Sequence, residues 1–238
     1  MIEEFKEFEG IEWVWVDLDD TLWDFTANSR ILLRAIYHER DMDRFFTSED
    51  AWIDAYEDYN HFLWTEYAAQ RVTRAFLMAD RFRRPLACAG HPDADGEGAF
   101  LDRHYLERLG TMGALVPGAR ELLGRLRTRG YKIGVLSNGF AEVQRRKLCA
   151  AGIEDMVDMM VLSDDIGIQK PDRRLFDYAA ERAGTSAVKC LMIGDNLSAD
   201  IKGALGAGWR AIYFDRRATD RPAMPAGVRT VTDLGHIL

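Results

Sequence analysis

The chain has 238 residues, 47% apolar and 29% charged, with 39 acidic against 31 basic side chains and a formal net charge of −8. Such a length holds one large domain or a core carrying an insertion. The acidic balance argues against a nucleic-acid polymer as partner, which needs a basic footprint, and no apolar run reaches the roughly 18 residues of a membrane span.

The first apolar run, residues 11–17, reads as a short buried strand leading into Asp17-Leu18-Asp19-Asp20-Thr21. Residues two apart on a strand share a side, so Asp17 and Asp19 are expected to project together from its C-terminal end. Two carboxylates that close repel each other unless a cation or a shared proton intervenes. One can then act as nucleophile and the other as general acid and base. That pairing points to phosphoryl transfer through an aspartyl-phosphate.

Residues 24–111 carry four helical patterns and no clear strand, too long a stretch for one crossover. They read as an inserted helical domain, leaving 1–23 and 112–238 as the core. Trp52, Tyr56, Tyr59, Leu63 and Tyr67 recur at helical spacing and form its apolar stripe. Asn60 and Trp64 lie on the flank, one turn apart. Thr73 is placed to cap a helix on which Arg74, Met78 and Arg81 share a face.

Beyond the insertion, strands are expected at 131–136, 158–162, 189–194 and 211–214, separated by helices. Pro117-Gly118 precedes a helix with Leu122, Leu123 and Leu126 inward, Pro171 opens another ended by Gly184, and a third runs from Leu197 to Gly208. Alternating strand and helix predict an α/β fold, a Rossmann-like doubly wound parallel sheet, whose ligands bind at the carboxyl ends of the strands. Three further polar segments sit at those ends: Ser137-Asn138-Gly139, Lys170-Pro171, and Asp195-Asn196 with Asp200 just beyond. Taken singly these are a turn, a helix start and a helix cap; their joint occurrence at successive strand ends weakens those readings. The five histidines are scattered without metal-ligand spacing. Cys88, Cys149 and Cys190 are widely spaced and read as buried free thiols, which together with residues 1–6, lacking the apolar core of a signal peptide, suggests a cytoplasmic protein.

These four segments, in this order, resemble the haloacid dehalogenase (HAD) superfamily of phosphohydrolases over nearly the whole chain. The resemblance implies a helical cap of the C1 type at the insertion and a divalent cation, Mg²⁺, at the strand ends. Asp17 would be the nucleophile and Asp19 the acid and base. Ser137 and the Asn138 amide would hold the transferring phosphoryl oxygens, and Lys170 would supply positive charge. Asp17 and Asp195 would bind the metal by side chain and Asp19 by its main-chain carbonyl, with Asn196 and Asp200 behind the ion or on its waters. Asp20 and Thr21 would fix the loop. Carbon–halogen cleavage, also found in the superfamily, needs no second acid, so Asp19 favours a phosphatase. A phosphonate hydrolase needs a Schiff-base lysine from the insertion, and residues 24–111 contain no lysine.

Within the superfamily, Asn60-His61-Phe62-Leu63-Trp64-Thr65-Glu66-Tyr67, Arg71-Val72-Thr73, Arg81-Phe82, Leu136-Ser137-Asn138-Gly139-Phe140 and Phe176-Asp177-Tyr178-Ala179 are similar to the YjjG-type pyrimidine 5′-nucleotidases. Gln70 departs from the pattern where a glycine is expected. The resemblance implies a small phosphate ester as substrate, a pyrimidine nucleoside monophosphate, with Asn60, Trp64, Arg74 and Arg81 as candidate contacts and a monomer or homodimer as assembly. Sugar-phosphate and N-acylneuraminate-9-phosphate phosphatases share much of the pattern. A non-catalytic phosphate sensor would be expected to have lost Asp17, Asp19 or Lys170, and all three are present.

Overall fold

The computed structural model describes residues 6–216 and 224–238. The chain divides into two compact units, Met1–Phe25 with Gly113–Leu238, and Thr26–Met112. Among the described residues no helix is long and apolar enough to cross a membrane.

The first unit is built on one sheet of six strands: β1 Trp13–Val16, β2 Lys132–Ser137, β3 Met159–Leu162, β4 Cys190–Gly194, β5 Arg210–Phe214 and β6 Arg229–Val231. They run in the order β3-β2-β1-β4-β5-β6, and every pairing is parallel. β6 lies outside the five strands expected from apolar runs. Arg229-Thr230-Val231 is a three-residue edge strand buried only at Val231, so it carries no apolar run to detect. Trp15, on the central strand, packs with Phe176, Met192, Ile201 and Trp209 in the main core of this unit. Its register partner on β2 is Gly134, where a Cβ would stand 2.2 Å from the indole. Only glycine leaves room for that ring.

The helices of this unit are α5 Ala119–Thr128, α6 Ala141–Ala150, α7 Arg173–Arg182 and the short α8 Gly203–Gly206. Two expected helices differ in detail. Asp172, not Pro171, caps α7, its side chain accepting from Arg174 N–H. The segment expected as one helix from Leu197 to Gly208 is a π-helical stretch, Leu197–Lys202, running into α8. Of the cysteines only Cys190 is buried; Cys88 and Cys149 are exposed, because each falls on the outward side of a surface helix.

The second unit consists of α1 Phe25–Glu39, α2 Glu49–Ala68, α3 Arg74–Cys88 and α4 Ala94–Leu109, α1 entering from the last residue of the first unit. Ser48, Thr73 and Asp93 cap the last three, each accepting from a backbone N–H three residues on. Trp52, Tyr56 and Leu63 are fully buried, while Tyr59 and Tyr67 are partly covered. Phe82 and Tyr105 complete an aromatic cluster around Tyr56, ring centroids 4.5 and 5.5 Å away.

Candidate active site

β1 is buried almost throughout and delivers Asp17 one residue past its end. The Asp17 N–H donates to Ile193 O at 2.9 Å, continuing the β1–β4 ladder and fixing the backbone at that point. The strand stops at Val16, shorter than expected, so the two-residue alternation does not carry through to Asp19. The chain instead turns at Asp20, whose φ of 58° is left-handed, a region aspartate tolerates better than most residues. The turn closes with Asp20 N–H on Trp23 O and Trp23 N–H on Leu18 O, both 2.8 Å. Thr21 is fully buried beneath it; its hydroxyl donates to Asp195 Oδ1 at 3.0 Å and accepts from Asp195 N–H at 3.1 Å. Two loops 174 residues apart are thereby locked together.

Asp17, Asp195 and Asp200 meet at these strand ends, one carboxylate oxygen of each within 4.8 Å of the others. Lys170, 2% exposed, is set among them. Its ammonium donates to Asp17 Oδ1 at 2.5 Å and to Leu136 O at 2.6 Å, and pairs with Asp200 Oδ1 at 2.7 Å. Burial pushes the Asp17 carboxyl up to about 7, against the pull of Lys170 and helped by repulsion from Asp200. Burial also drives Asp195 well above the ordinary carboxylate range, reinforced by Asp17 and Asp200. For Lys170 burial works against its charge, but Asp17 and Asp200 outweigh it and hold the ammonium. Hard oxygen donors, grouped on residues that cannot all stay ionised without a counter-charge, are the donor set Mg²⁺ prefers. Asp17 and Asp195 fit that cation. Asp200 sits behind them, its Oδ1 engaged by Lys170 and its Oδ2 by Asn196 N–H at 2.9 Å. The Asn196 side chain caps the π-helical segment, accepting from Ser198 N–H at 3.0 Å and Ala199 N–H at 2.9 Å. That side-chain oxygen is engaged in helix capping, and the Asn196 N–H ties the same segment to Asp200.

Asn138 clamps Lys170 by the backbone: its Nδ2 donates to Lys170 O at 3.0 Å and its Oδ1 accepts from Lys170 N–H at 2.8 Å. The Ser137 hydroxyl accepts from Gly139 N–H at 3.2 Å and from Gln144 Nε2 at 2.7 Å, which leaves its own hydrogen available to donate. Asp19 is not in the acidic trio. Its carboxylate takes Lys147 Nζ at 2.6 Å on Oδ1 and Gln144 Nε2 at 2.8 Å on Oδ2. Any part Asp19 has in holding metal rests on its main chain. Gln144 and Lys147 did not figure in the sequence reading. The available signal was a glutamine and a lysine three apart on the buried side of α6, among Val143 and Leu148, directly after the Ser137 loop.

The candidate substrate residues all lie in the helical unit. Arg81 is 3% exposed, with its Nε on Asp102 Oδ1 at 2.6 Å and its guanidinium 5.4 Å from the Tyr105 ring centre. A fully desolvated arginine needs its carboxylate partner, so Arg81 belongs to that unit's core and not to a substrate contact. Asn60 is buried, and its Oδ1 has no hydrogen-bond partner among the described residues. Trp64 is half-buried with its ring 5.8 Å from that of Tyr67, and Arg74 is half-buried at the start of α3. Gln70 has φ 58°. Here Gln70 N–H donates to Tyr67 O at 2.9 Å and Arg71 N–H to Glu66 O at 2.8 Å, the left-handed helix stop that normally selects glycine. The expected turn forms despite the substitution.

The haloacid dehalogenase-like hydrolase family matches residues 11–208. The chain is 30% identical to the pyrimidine 5′-nucleotidase YjjG of Escherichia coli over 95% of its own length and 96% of that protein's. It is 31% identical to the pyrimidine 5′-nucleotidase PynA of Streptococcus pneumoniae, over 84% and 81% of the two chains. A crystal structure of the HAD-hydrolase YfnB from Bacillus subtilis, bound to magnesium, superposes with a TM-score of 0.79 at 26% identity, covering 94% of this chain and 96% of that one. An acidic strand end, a buried lysine and a second acidic strand end on a parallel sheet, matched in sequence along most of the chain, make this protein a member of the haloacid dehalogenase-like hydrolases.

Proposed function

We propose that the protein is a Mg²⁺-dependent phosphomonoesterase that works through an aspartyl-phosphate and acts on pyrimidine nucleoside 5′-monophosphates. The observation that carries the chemistry is the convergence of Asp17, Asp195 and Lys170 at the strand ends, with Asp19 and Ser137 joined by one glutamine beside them. The magnesium in the YfnB structure and the pyrimidine 5′-nucleotidase activity for which YjjG and PynA are named support the cation and the substrate class.

In the first step an Asp17 carboxylate oxygen attacks phosphorus and the bond to the leaving oxygen breaks, with Asp19 giving that oxygen a proton. In the second, water attacks the same phosphorus, Asp19 takes the water's proton, and the bond to Asp17 breaks to release orthophosphate. Ser137 O–H and the Asn138 amide hold phosphoryl oxygens, and Lys170 keeps positive charge beside Asp17 and those oxygens through both steps. Phosphoryl transfer depends chiefly on this kind of positioning and charge neutralisation. The cation, held by Asp17 and Asp195, would supply further charge neutralisation on the transferring group. None of these groups distinguishes one leaving group from another. Recognition of the remainder of the substrate is assigned to the helical unit, through Asn60, Trp64 and Arg74.

The test is a phosphate-release screen over nucleoside monophosphates and sugar phosphates with Mg²⁺, run beside Asp17→Asn. UMP, dUMP or dTMP should lead the panel and Asp17→Asn should release no phosphate while staying folded. Near-normal turnover by Asp17→Asn overturns the mechanism. A sugar phosphate that outruns every nucleotide overturns the substrate class and leaves the esterase standing.

A further inference from the structure

α6 places two polar side chains where an amphipathic helix normally carries apolar ones. Gln144 is fully buried and Lys147 is 3% exposed. The Lys147 ammonium lies 4.4 Å from the Trp23 ring centre and 5.5 Å from that of Phe25, so its stem and head are enclosed by aromatic faces on one side. Its hydrogen-bond partner is Asp19 Oδ1, at 2.6 Å. Gln144 Nε2 points one hydrogen at Asp19 Oδ2, 2.8 Å away, and the other at Ser137 Oγ, 2.7 Å away. Gly139 makes room for it, since a Cβ there would stand 2.2 Å from Gln144 Nε2. Burying an ammonium and an amide is unfavourable unless each is paired. The surface of the unit offers Lys147 water, yet the fold encloses it against one carboxylate.

We propose that Gln144 and Lys147 are positioning residues for Asp19, a clamp that holds its carboxylate to receive the proton of the hydrolytic water and ties it to the Ser137 hydroxyl on the phosphoryl group. The inference rests on the functional reading above and deepens it. With both Asp19 oxygens fixed, the carboxylate cannot swing away while the phosphate sits on Asp17, and the water it deprotonates meets phosphorus in line. The step that suffers when the clamp is lost is cleavage of the Asp17–phosphorus bond. Its formation from an aryl phosphate, whose leaving oxygen needs little protonation, is spared.

The experiment compares wild type, Lys147→Met, Gln144→Met and Asp19→Asn with p-nitrophenyl phosphate and Mg²⁺, by steady-state kinetics, rapid-quench bursts and mass spectrometry of acid-trapped enzyme. Methionine keeps a flexible apolar stem against Trp23 and Phe25. For Lys147→Met, kcat should fall ~10- to 100-fold, the lower range of what a positioned acid–base group contributes. KM should fall with it, keeping kcat/KM within about 3-fold of wild type. A burst of nitrophenol and an Asp17 phosphopeptide should appear. Gln144→Met should show the same pattern, more weakly. Adding Lys147→Met to Asp19→Asn should cost nothing further, because the lysine acts through Asp19. A lower kcat at unchanged KM, with no phosphoenzyme, overturns the clamp. So does a further loss in the double variant. If Asp19→Asn itself neither slows turnover nor accumulates phosphoenzyme, the acid–base reading of Asp19 fails first, and that outcome is distinct from the failure of the clamp alone.

Discussion

Removing the Lys170 ammonium is the perturbation that tests the electrostatic design of the site most directly. Lys170→Met keeps the length of the stem and deletes the charge. It strips Asp17 of a 2.5 Å hydrogen bond, Asp200 of a 2.7 Å ion pair, and Leu136 O of a 2.6 Å donor, all in a buried place. Breaking a buried pair by removing one partner costs about 3–5 kcal/mol, because the other charge stays desolvated. The loss depends on pH with a definite sign. Asp17 already has a folded-state pKa of about 7 against an ordinary 3.8, so an ionised Asp17 weakens the fold as pH rises through that interval. Without Lys170 the carboxyl rises further, and the variant loses stability above pH 7 more steeply than wild type, whose Asp17 is half titrated at pH 7 and almost fully ionised by pH 8. At up to ~1.4 kcal/mol per pH unit for the variant, less the smaller loss of wild type, the deficit should widen by about 1.5 kcal/mol between pH 7 and 8.5. Urea unfolding in EDTA at pH 5.5, 7 and 8.5 measures it, and phosphate release should be lost at every pH. A deficit below about 1 kcal/mol at pH 8.5, or one that does not change with pH, would refute the reasoning.

Three other outcomes follow from the same geometry. Chelation should abolish turnover, Mg²⁺ should restore it, and Ca²⁺ should restore it poorly because its longer, looser coordination disturbs in-line geometry; since burial holds the Asp17 and Asp195 carboxyls high, Mg²⁺ binding below pH 7 should also release protons, visible as a dependence of calorimetric heat on buffer ionisation enthalpy and absent if these groups are not the ligands. Trp64→Ala should raise KM for a pyrimidine nucleotide far more than for p-nitrophenyl phosphate with little change in Tm, whereas a loss of roughly 3–5 kcal/mol with both substrates affected alike would assign Trp64 to the core of the helical unit. Gln70→Gly should raise stability by about 1 kcal/mol, the approximate cost of holding a non-glycine residue in the left-handed region, and an unchanged urea midpoint would show that Gln70 carries no such strain.

How far the sequence reaches depends on the range over which the deciding forces act. Strand identity was legible because β1, β2 and β4 are buried on both faces, which forces continuous apolar runs. A carboxylate or serine directly after such a run must stand at the ligand-binding edge of a parallel sheet, so Asp17, Ser137 and Asp195 could be marked without coordinates. Short-range signals at helix starts worked equally well at Thr73. Other features arise only from pairings between distant residues. Whether a lysine on α6 faces solvent or Asp19 depends on a contact across 128 residues, and whether Arg81 is a free arm or a core cation depends on Asp102 arriving from α4. Helical periodicity is the same in either case. Gln70 lies between these extremes. Glycine is what a left-handed helix stop selects, yet the capping bonds onto Tyr67 O and Glu66 O outweigh the residue's own preference, so the turn forms where composition alone argued against it. The sequence by itself determined the strand ends and the residue types placed there, because burial and chain direction are local constraints. Which ammonium meets which carboxylate was left to the tertiary structure, since a buried charge accepts whatever partner the packed fold brings within about 3 Å.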